Sequence, residues 1–239
     1  MSEIIEIKDV WKTYKMGETK VHALRGVSLT VKKGEFLSIT GPSGSGKSTF
    51  MNMIGCLDTP SKGTIKLSGK DISKLHESDL AQIRGKKIGF IFQQFNLLPA
   101  LTAQENVALP LMFQNVSDEK RNKISKEYLE LVGLGDRLDH TPNQLSGGQQ
   151  QRVAIARALA GEPELILADE PTGNLDSQSG KVIMEFLEKL RKEKGTTLVI
   201  VTHDQKLASR AKRNVYIKDG LIVKSLDEDT TKRIEVTKK

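Results

Sequence analysis

No stretch of this chain approaches the eighteen or more apolar residues that a membrane-spanning helix needs; the longest apolar stretches, such as residues 165–168 and 197–201, are strand-sized. The chain itself is therefore not expected to cross a membrane. Residues 1–10 alternate charged and apolar side chains and lack the basic start, apolar stretch and small-residue cleavage site of a secretion signal, so a cytosolic location is expected. Cys56 is the only cysteine, which excludes an internal disulfide and fits a reducing compartment. It reads as a small buried apolar residue. Internal repeats and low-complexity segments are also missing.

What is present suits one compact unit: 239 residues with 37% hydrophobic side chains supply an ordinary core. The net charge of +7 raises the question of nucleic acid. Acidic residues are interspersed almost everywhere, however. In the tail, Lys224, Lys232, Arg233, Lys238 and Lys239 lie among Asp227, Glu228, Asp229 and Glu235. A solvated surface is the simpler reading, and no direct nucleic-acid partner is expected.

The first third is strand-rich. Residues 4–10 alternate like an edge strand, 27–31 form another, and 35–40 form an apolar run ending in a glycine-rich turn. Residues 47–56 have helix composition, and 64–67 and 88–92 read as strands. The middle changes character. Thr102-Ala103-Gln104-Glu105 has the pattern of a helix start, Pro110 is expected to kink or break that helix, and 118–132 continues in helix-forming residues. Residues 94–160 therefore read as a helical insertion. Strand 164–168 follows, then a helix in which Val182, Ile183, Phe186, Leu187 and Leu190 share one face, then strand 197–202. Strands separated by helices imply an α/β fold with a mostly parallel sheet. Asp219-Gly220 marks a hairpin that closes the folded part.

Gly41-Pro42-Ser43-Gly44-Ser45-Gly46-Lys47-Ser48 fits G-x-x-x-x-G-K-[ST] between a predicted strand and a predicted helix. Such a loop turns backbone N–H groups and the positive helix end toward phosphate. Lys47 is expected to reach the β- and γ-phosphates, Ser48 to offer its hydroxyl to Mg²⁺, and Thr49 to add a further contact. Leu165-Ile166-Leu167-Ala168 runs straight into Asp169-Glu170, an arrangement that is costly unless the acids have partners at the strand end. Asp169 is expected to hold Mg²⁺ and Glu170 to polarise the attacking water.

Leu145-Ser146-Gly147-Gly148-Gln149, followed by Gln150-Gln151-Arg152 and residues 153–159, resembles the signature motif and helix of ABC-type ATPases. Physically, Ser146 and two glycines at a helix start form a second anion site. The resemblance extends over roughly residues 3–225. It implies a P-loop core (1–93 and 161–225) with an N-terminal antiparallel β subdomain, an inserted helical subdomain (94–160), and a charged tail (226–239). It further implies ATP and Mg²⁺ as cofactors, ATP hydrolysis, and an ATP-dependent head-to-tail homodimer in which Ser146, Gly147, Gly148 and Gln149 act on the nucleotide of the other copy.

The remaining family elements follow residue by residue. Tyr14 matches the aromatic that stacks on adenine, with Trp11 as a possible substitute. Gln93, next to the alternative Gln94, resembles the glutamine that contacts Mg²⁺ and water. Asp176 resembles the aspartate loop at the dimer interface, and His203 the histidine on the γ-phosphate. Residues 92–99 and 101–107 look most like the lipoprotein-release and macrolide-export subunits, which implies a separate transmembrane permease partner and a position on the inner face of the cell membrane. Phe95, Leu97, Leu98 and Leu101 are either an exposed docking patch or packing for the helical insertion. Two other readings stay open. One is a soluble ABC ATPase of DNA repair, chromosomes or ribosomes, against which stand the missing coiled coil, zinc module and second ATPase half. The other is a cell-division ATPase.

Overall fold

In the computed structural model the described residues are 2–227 and 230–234. Half of the charged tail read over 226–239 falls outside them. The chain forms two compact units, Met1–Ala81 with Thr197–Lys239, and Gln82–Thr196.

The first unit holds an antiparallel sheet of order β2-β1-β4-β5, formed by β1 (Glu3–Met16), β2 (Thr19–Lys32), β4 (Lys62–Leu67) and β5 (Lys70–Asp71). The reading of residues 4–10 as an edge strand is corrected, because β1 pairs with β2 on one side and β4 on the other. Alternation reports which face is buried and carries no information about hydrogen-bonded neighbours.

A second sheet in this unit runs β8-β3-β9-β10-β11, from β3 (Phe36–Thr40), β8 (Thr197–Val201), β9 (Arg213–Lys218), β10 (Leu221–Asp227) and β11 (Thr230–Ile234). Strand β3 is parallel to both β8 and β9. Every residue of β3 and β8 is buried, the polar Ser38, Thr40 and Thr197 included, as in parallel strands covered on both faces. Helices α1 (Lys47–Ile54) and α7 (Gln205–Ala208) pack in the same unit, and α2 (Glu77–Lys87) carries the chain out of it. The Asp219-Gly220 turn joins β9 to β10, with φ of 49° and 74° as a two-residue hairpin requires. It does not end the folded part, since β11 pairs with β10.

In the second unit, β6 (Ile88–Ile91) runs parallel to β7 (Leu165–Asp169), and α5 (Gly147–Ala160) packs on β6. Helices α3 (Ala103–Phe113) and α4 (Asp118–Leu131) pack against each other and against α5. Thr102 caps α3 through the capping box its sequence announces, accepting from the Glu105 N–H. Pro110 does not end α3, which continues to Phe113. Near the end of an 11-residue helix proline removes one hydrogen bond, and the buried face of Ala103, Val107 and Leu111 holds the last turn. In α6 (Ser177–Lys194) the buried stripe is Ile183, Met184, Leu187 and Leu190. Val182, assigned to that stripe by spacing, is 60% exposed.

Candidate functional site

Residues 41–46 leave the buried end of β3 and enter α1, the strand-loop-helix context that a phosphate loop needs. The loop is held from outside by backbone. The Gly220 N–H donates to the Ser45 carbonyl at 2.9 Å, and the Arg25 N–H donates to the Gly220 carbonyl at 2.8 Å. Gly46, with φ 103°, lies so close to the Ala23 carbonyl that a Cβ there would sit 2.4 Å from it. Only glycine fits.

Within the loop, the Lys47 ammonium donates to the carbonyls of Gly41 at 3.0 Å and Pro42 at 2.8 Å. It thus sits over the loop that its charge would serve. A Cβ on Gly44 would meet nothing within 4 Å, so the loop's outer side is open. The Ser45 hydroxyl is buried, with no hydrogen-bond partner among the described residues. An open, glycine-lined turn with a lysine and an unsatisfied hydroxyl fits a phosphate group. Gly44, Ser45, Gly46 and Lys47 line a cleft of about 620 Å³ together with Trp11, His22, Ser48 and Thr49. Tyr14 is not among the residues that line the cleft; its hydroxyl donates to the Asp58 carboxylate at 2.9 Å.

His203 follows β8 directly. The register Ile39↔Val201 and the bond from the Thr202 N–H to the Ile39 carbonyl (3.1 Å) bring His203 to the same end of the sheet as Gly41. Both thus stand where the parallel strands end, the edge at which open α/β sheets bind ligands.

In the second unit the register Ile91↔Ala168 brings Gln93 to the level of Glu170. A Cβ on Gly173 would be 3.5 Å from the Glu170 Cβ and 3.8 Å from the Gln93 Nε2, so the two side chains share one neighbourhood. Glu170 has φ 46°, a left-handed backbone that a glutamate adopts at an energetic cost. The Gly173 N–H donates to its carbonyl at 3.0 Å and closes the turn that holds it there. Asp169 is the last residue of β7 and half-buried. Asn174 donates to the Gln93 carbonyl at 2.6 Å.

Ser146 is the N-cap of α5, accepting from the Gln149 N–H at 3.3 Å while Gln149 accepts from the Ser146 N–H at 2.8 Å. The box is closed by a neutral glutamine rather than a glutamate, and the first turn carries no acid. The helix end therefore keeps its positive character. Asp176 contrasts with it. As N-cap of α6 it accepts from the N–H groups of Gln178 and Ser179, both at 3.0 Å. Its carboxyl lies below the ordinary range, chiefly through the Ser179 side chain and then that backbone.

Three supports went unassigned in the sequence. Gln151, 2% exposed, donates to the Pro171 carbonyl at 2.9 Å and ties α5 to the turn after Glu170. Arg157 donates to the carbonyls of Phe95 (2.8 Å) and Asn96 (2.6 Å). Asn106, fully buried, donates to the carbonyls of Leu98, Leu101 and Thr102 and accepts from the Leu98 N–H. The only advance signal was a polar residue on a helix face that otherwise packs. Of the four apolar residues after Gln93, Leu98 is 47% exposed, while Phe95, Leu97 and Leu101 are half-buried.

A glycine-rich loop of this kind between a buried parallel strand and a helix defines a P-loop nucleoside-triphosphatase core. The family profile for "ABC transporter" matches residues 24–173, and the chain belongs to that family. It is 56% identical to an uncharacterized ABC transporter ATP-binding protein of Thermotoga maritima, over 93% of this chain and 94% of that one. It is 55% identical to the ABC transporter ATP-binding protein MJ0796 of Methanocaldococcus jannaschii, over 91% and 94%. The macrolide export ATP-binding/permease protein MacB of Aggregatibacter actinomycetemcomitans is 51% identical over 96% of this chain, which spans 35% of that longer protein. Among solved structures, MJ0796 as a dimer in a post-hydrolysis state bound to ADP and Pi superimposes with a TM-score of 0.89 at 52% identity, covering 93% of this chain and 98% of that one. The antiparallel sheet, mostly parallel sheet and helical segment expected from the sequence are thus those of an ABC cassette.

Proposed function

We propose that this chain is the ATP-hydrolysing subunit of a transporter, working as an ATP-dependent homodimer on a separate transmembrane permease at the inner face of the cell membrane. The observation that carries the reading is that, among the described residues, each chain has two helix starts suited to an anion, α1 behind the phosphate loop and α5 behind Ser146, but only one loop that can cradle a triphosphate. The surplus start is explained if it closes over the nucleotide held by a second copy. The dimeric relative MJ0796 and its ADP and Pi support this, and the resemblance to MacB supports an export or release role.

In the first unit the backbone of Gly41, Ser43, Gly44, Ser45 and Gly46 holds the phosphates, and Lys47 neutralises the β- and γ-oxygens. Ser48 and Thr49 offer hydroxyls, Tyr14 stacks on adenine, and His203 donates to the γ-phosphate. In the second unit Asp169 and Gln93 are suited to Mg²⁺, and in the first the Ser48 hydroxyl is. Bound Mg²⁺ would supply charge neutralisation at the terminal phosphates. Glu170 accepts a hydrogen bond from the attacking water and orients it, with Gln93 beside it. Ser146, Gly147, Gly148 and Gln149 of the twin copy present N–H groups and a hydroxyl to the γ-phosphate, and Asp176 meets the twin across the interface. Dimer closure drives the permease and hydrolysis reopens the pair. Residues 1–225 act as a single ATPase domain, with 94–160 as its helical subdomain.

The test is Glu170→Gln. It is expected to bind ATP with unchanged affinity, to lose turnover by at least about a hundredfold, and to elute as a dimer with ATP and Mg²⁺. A variant that binds ATP yet elutes as a monomer would falsify the homodimer.

A further inference from the structure

Lys12 and Tyr14 stand two residues apart on β1, and the Lys12 ammonium lies over the Tyr14 ring, 5.0 Å from its centroid. Both side chains end on one carboxylate. Asp58 accepts from the Lys12 ammonium on Oδ1 and from the Tyr14 hydroxyl on Oδ2 at 2.9 Å. The Thr59 N–H donates to Oδ1 at 2.7 Å, and the Lys12 ammonium also reaches the Thr59 carbonyl at 2.8 Å. Asp58 is itself placed by the end of α1. Cys56 turns left-handed with φ 56°, and the Leu57 N–H bonds back to the Asn52 carbonyl at 3.0 Å, so Asp58 emerges at a fixed point beyond the phosphate-loop helix.

The cluster is richer than a surface ion pair. Lys12 is largely covered, with 12% of its side chain exposed, and every polar atom of the Asp58 carboxylate is used. Tyr14 remains 36% exposed, with its hydroxyl fixed and a cation over its ring. Burial and then the Asp58 contacts hold the Tyr14 phenol above its ordinary range. Burial alone would raise Asp58, but the hydrogen bonds from Lys12, Tyr14 and Thr59 together bring it below its ordinary range. At neutral pH the phenol therefore donates to an ionised carboxylate.

We propose that Asp58 and Lys12 are positioning residues for purine recognition: they lock the Tyr14 ring in one orientation, and the lysine cation draws π-electron density from the ring so that an adenine stacks on it more strongly. This rests on Tyr14 being the adenine-stacking residue. Fixing a side chain before the ligand arrives removes the entropy that would otherwise be lost on binding, a factor of about two to ten in affinity. Because Asp58 follows α1, base and phosphate recognition share one support.

Titrations with ATP and with inorganic tripolyphosphate, which has no base, separate the possibilities. Tyr14→Ala is expected to weaken ATP about tenfold. Asp58→Ala and Tyr14→Phe, which both remove the hydroxyl-carboxylate bond, are each expected to weaken it about threefold. Asp58→Asn, which keeps an acceptor for the hydroxyl, is expected to recover part of that loss. Adding Asp58→Ala to Tyr14→Ala is expected to cost nothing more, since the two act through one ring. Tripolyphosphate binding stays unchanged in all of them. If Tyr14→Ala weakens ATP but Asp58→Ala and Tyr14→Phe do not, the positioning role is overturned while the stacking role stands. If Tyr14→Ala leaves ATP affinity intact, the stacking role itself fails and the positioning role with it. Equal loss for tripolyphosphate in Asp58→Ala places the effect on the phosphate loop and also overturns the proposal.

Discussion

The backbone N–H of Gly220 donates to the carbonyl of Ser45 at 2.9 Å, joining a hairpin turn near the end of the chain to the middle of its phosphate loop. The Asp219-Gly220 pair is thus a brace for the loop as well as a chain reversal.

Replacing Gly220 tests the brace. A Cβ there would lie 2.8 Å from the Ala23 carbonyl, and φ is 74°, so Gly220→Ala combines a clash with a strained backbone. A loss of about 1–3 kcal/mol is expected in chemical denaturation. Weaker binding of ATP is expected with it, because the Ser45 carbonyl loses its fixed donor.

Gln151 links the signature helix to the turn after Glu170. Gln151→Leu leaves the Pro171 carbonyl without its donor in a buried place. The expected cost is about 1–3 kcal/mol in urea unfolding. Turnover is expected to fall more than ATP affinity, because the affected turn carries Glu170 and not the phosphate loop.

Asn106 holds the loop after Gln93 through four hydrogen bonds. Asn106→Leu, close in size but apolar, is expected to destabilise the protein by about 2 kcal/mol or more, since buried carbonyls lose their donor. Hydrogen exchange at Leu98 is expected to rise while that of β3 stays unchanged.

The Asp176 cap sets a pH dependence. Its carboxyl is depressed in the folded chain, so its stabilisation is present above the ordinary aspartate range and is lost as pH falls through the lowered value. Asp176→Asn retains an acceptor but no charge. Its melting temperature is expected to lie below that of the parent from neutral pH down to the aspartate range, and the two curves are expected to converge in stronger acid. A gap that persists there contradicts the assignment.

Much of the site was legible because its chemistry dictates local sequence. Lys47 and Ser48 must follow a glycine turn, Asp169 must end an apolar strand, and Ser146 must precede a helix; all four stand in those contexts. What was hidden was tertiary. Nothing near Gly46 announces that the Ala23 carbonyl rests on it, nor does anything near Tyr14 point to Asp58, 44 positions on. The α6 stripe was misplaced by one position at Val182 because spacing alone gives a helix face to within about one neighbour on the helical wheel. The register that sets Gln93 level with Glu170 was likewise invisible, since strand pairing over this separation leaves no local trace.

The most direct measurement of the central claim is a mixing experiment. In a Cys56→Ser, Glu170→Gln background, one preparation carries Ser43→Cys in the phosphate loop and another carries Ser146→Cys ahead of the signature helix. A short bis-maleimide is expected to join the two into a covalent dimer only when they are mixed, and only with ATP and Mg²⁺ present. Equal crosslinking without nucleotide or within either preparation alone, or none in the mixture, would contradict a triphosphate closed over by two copies.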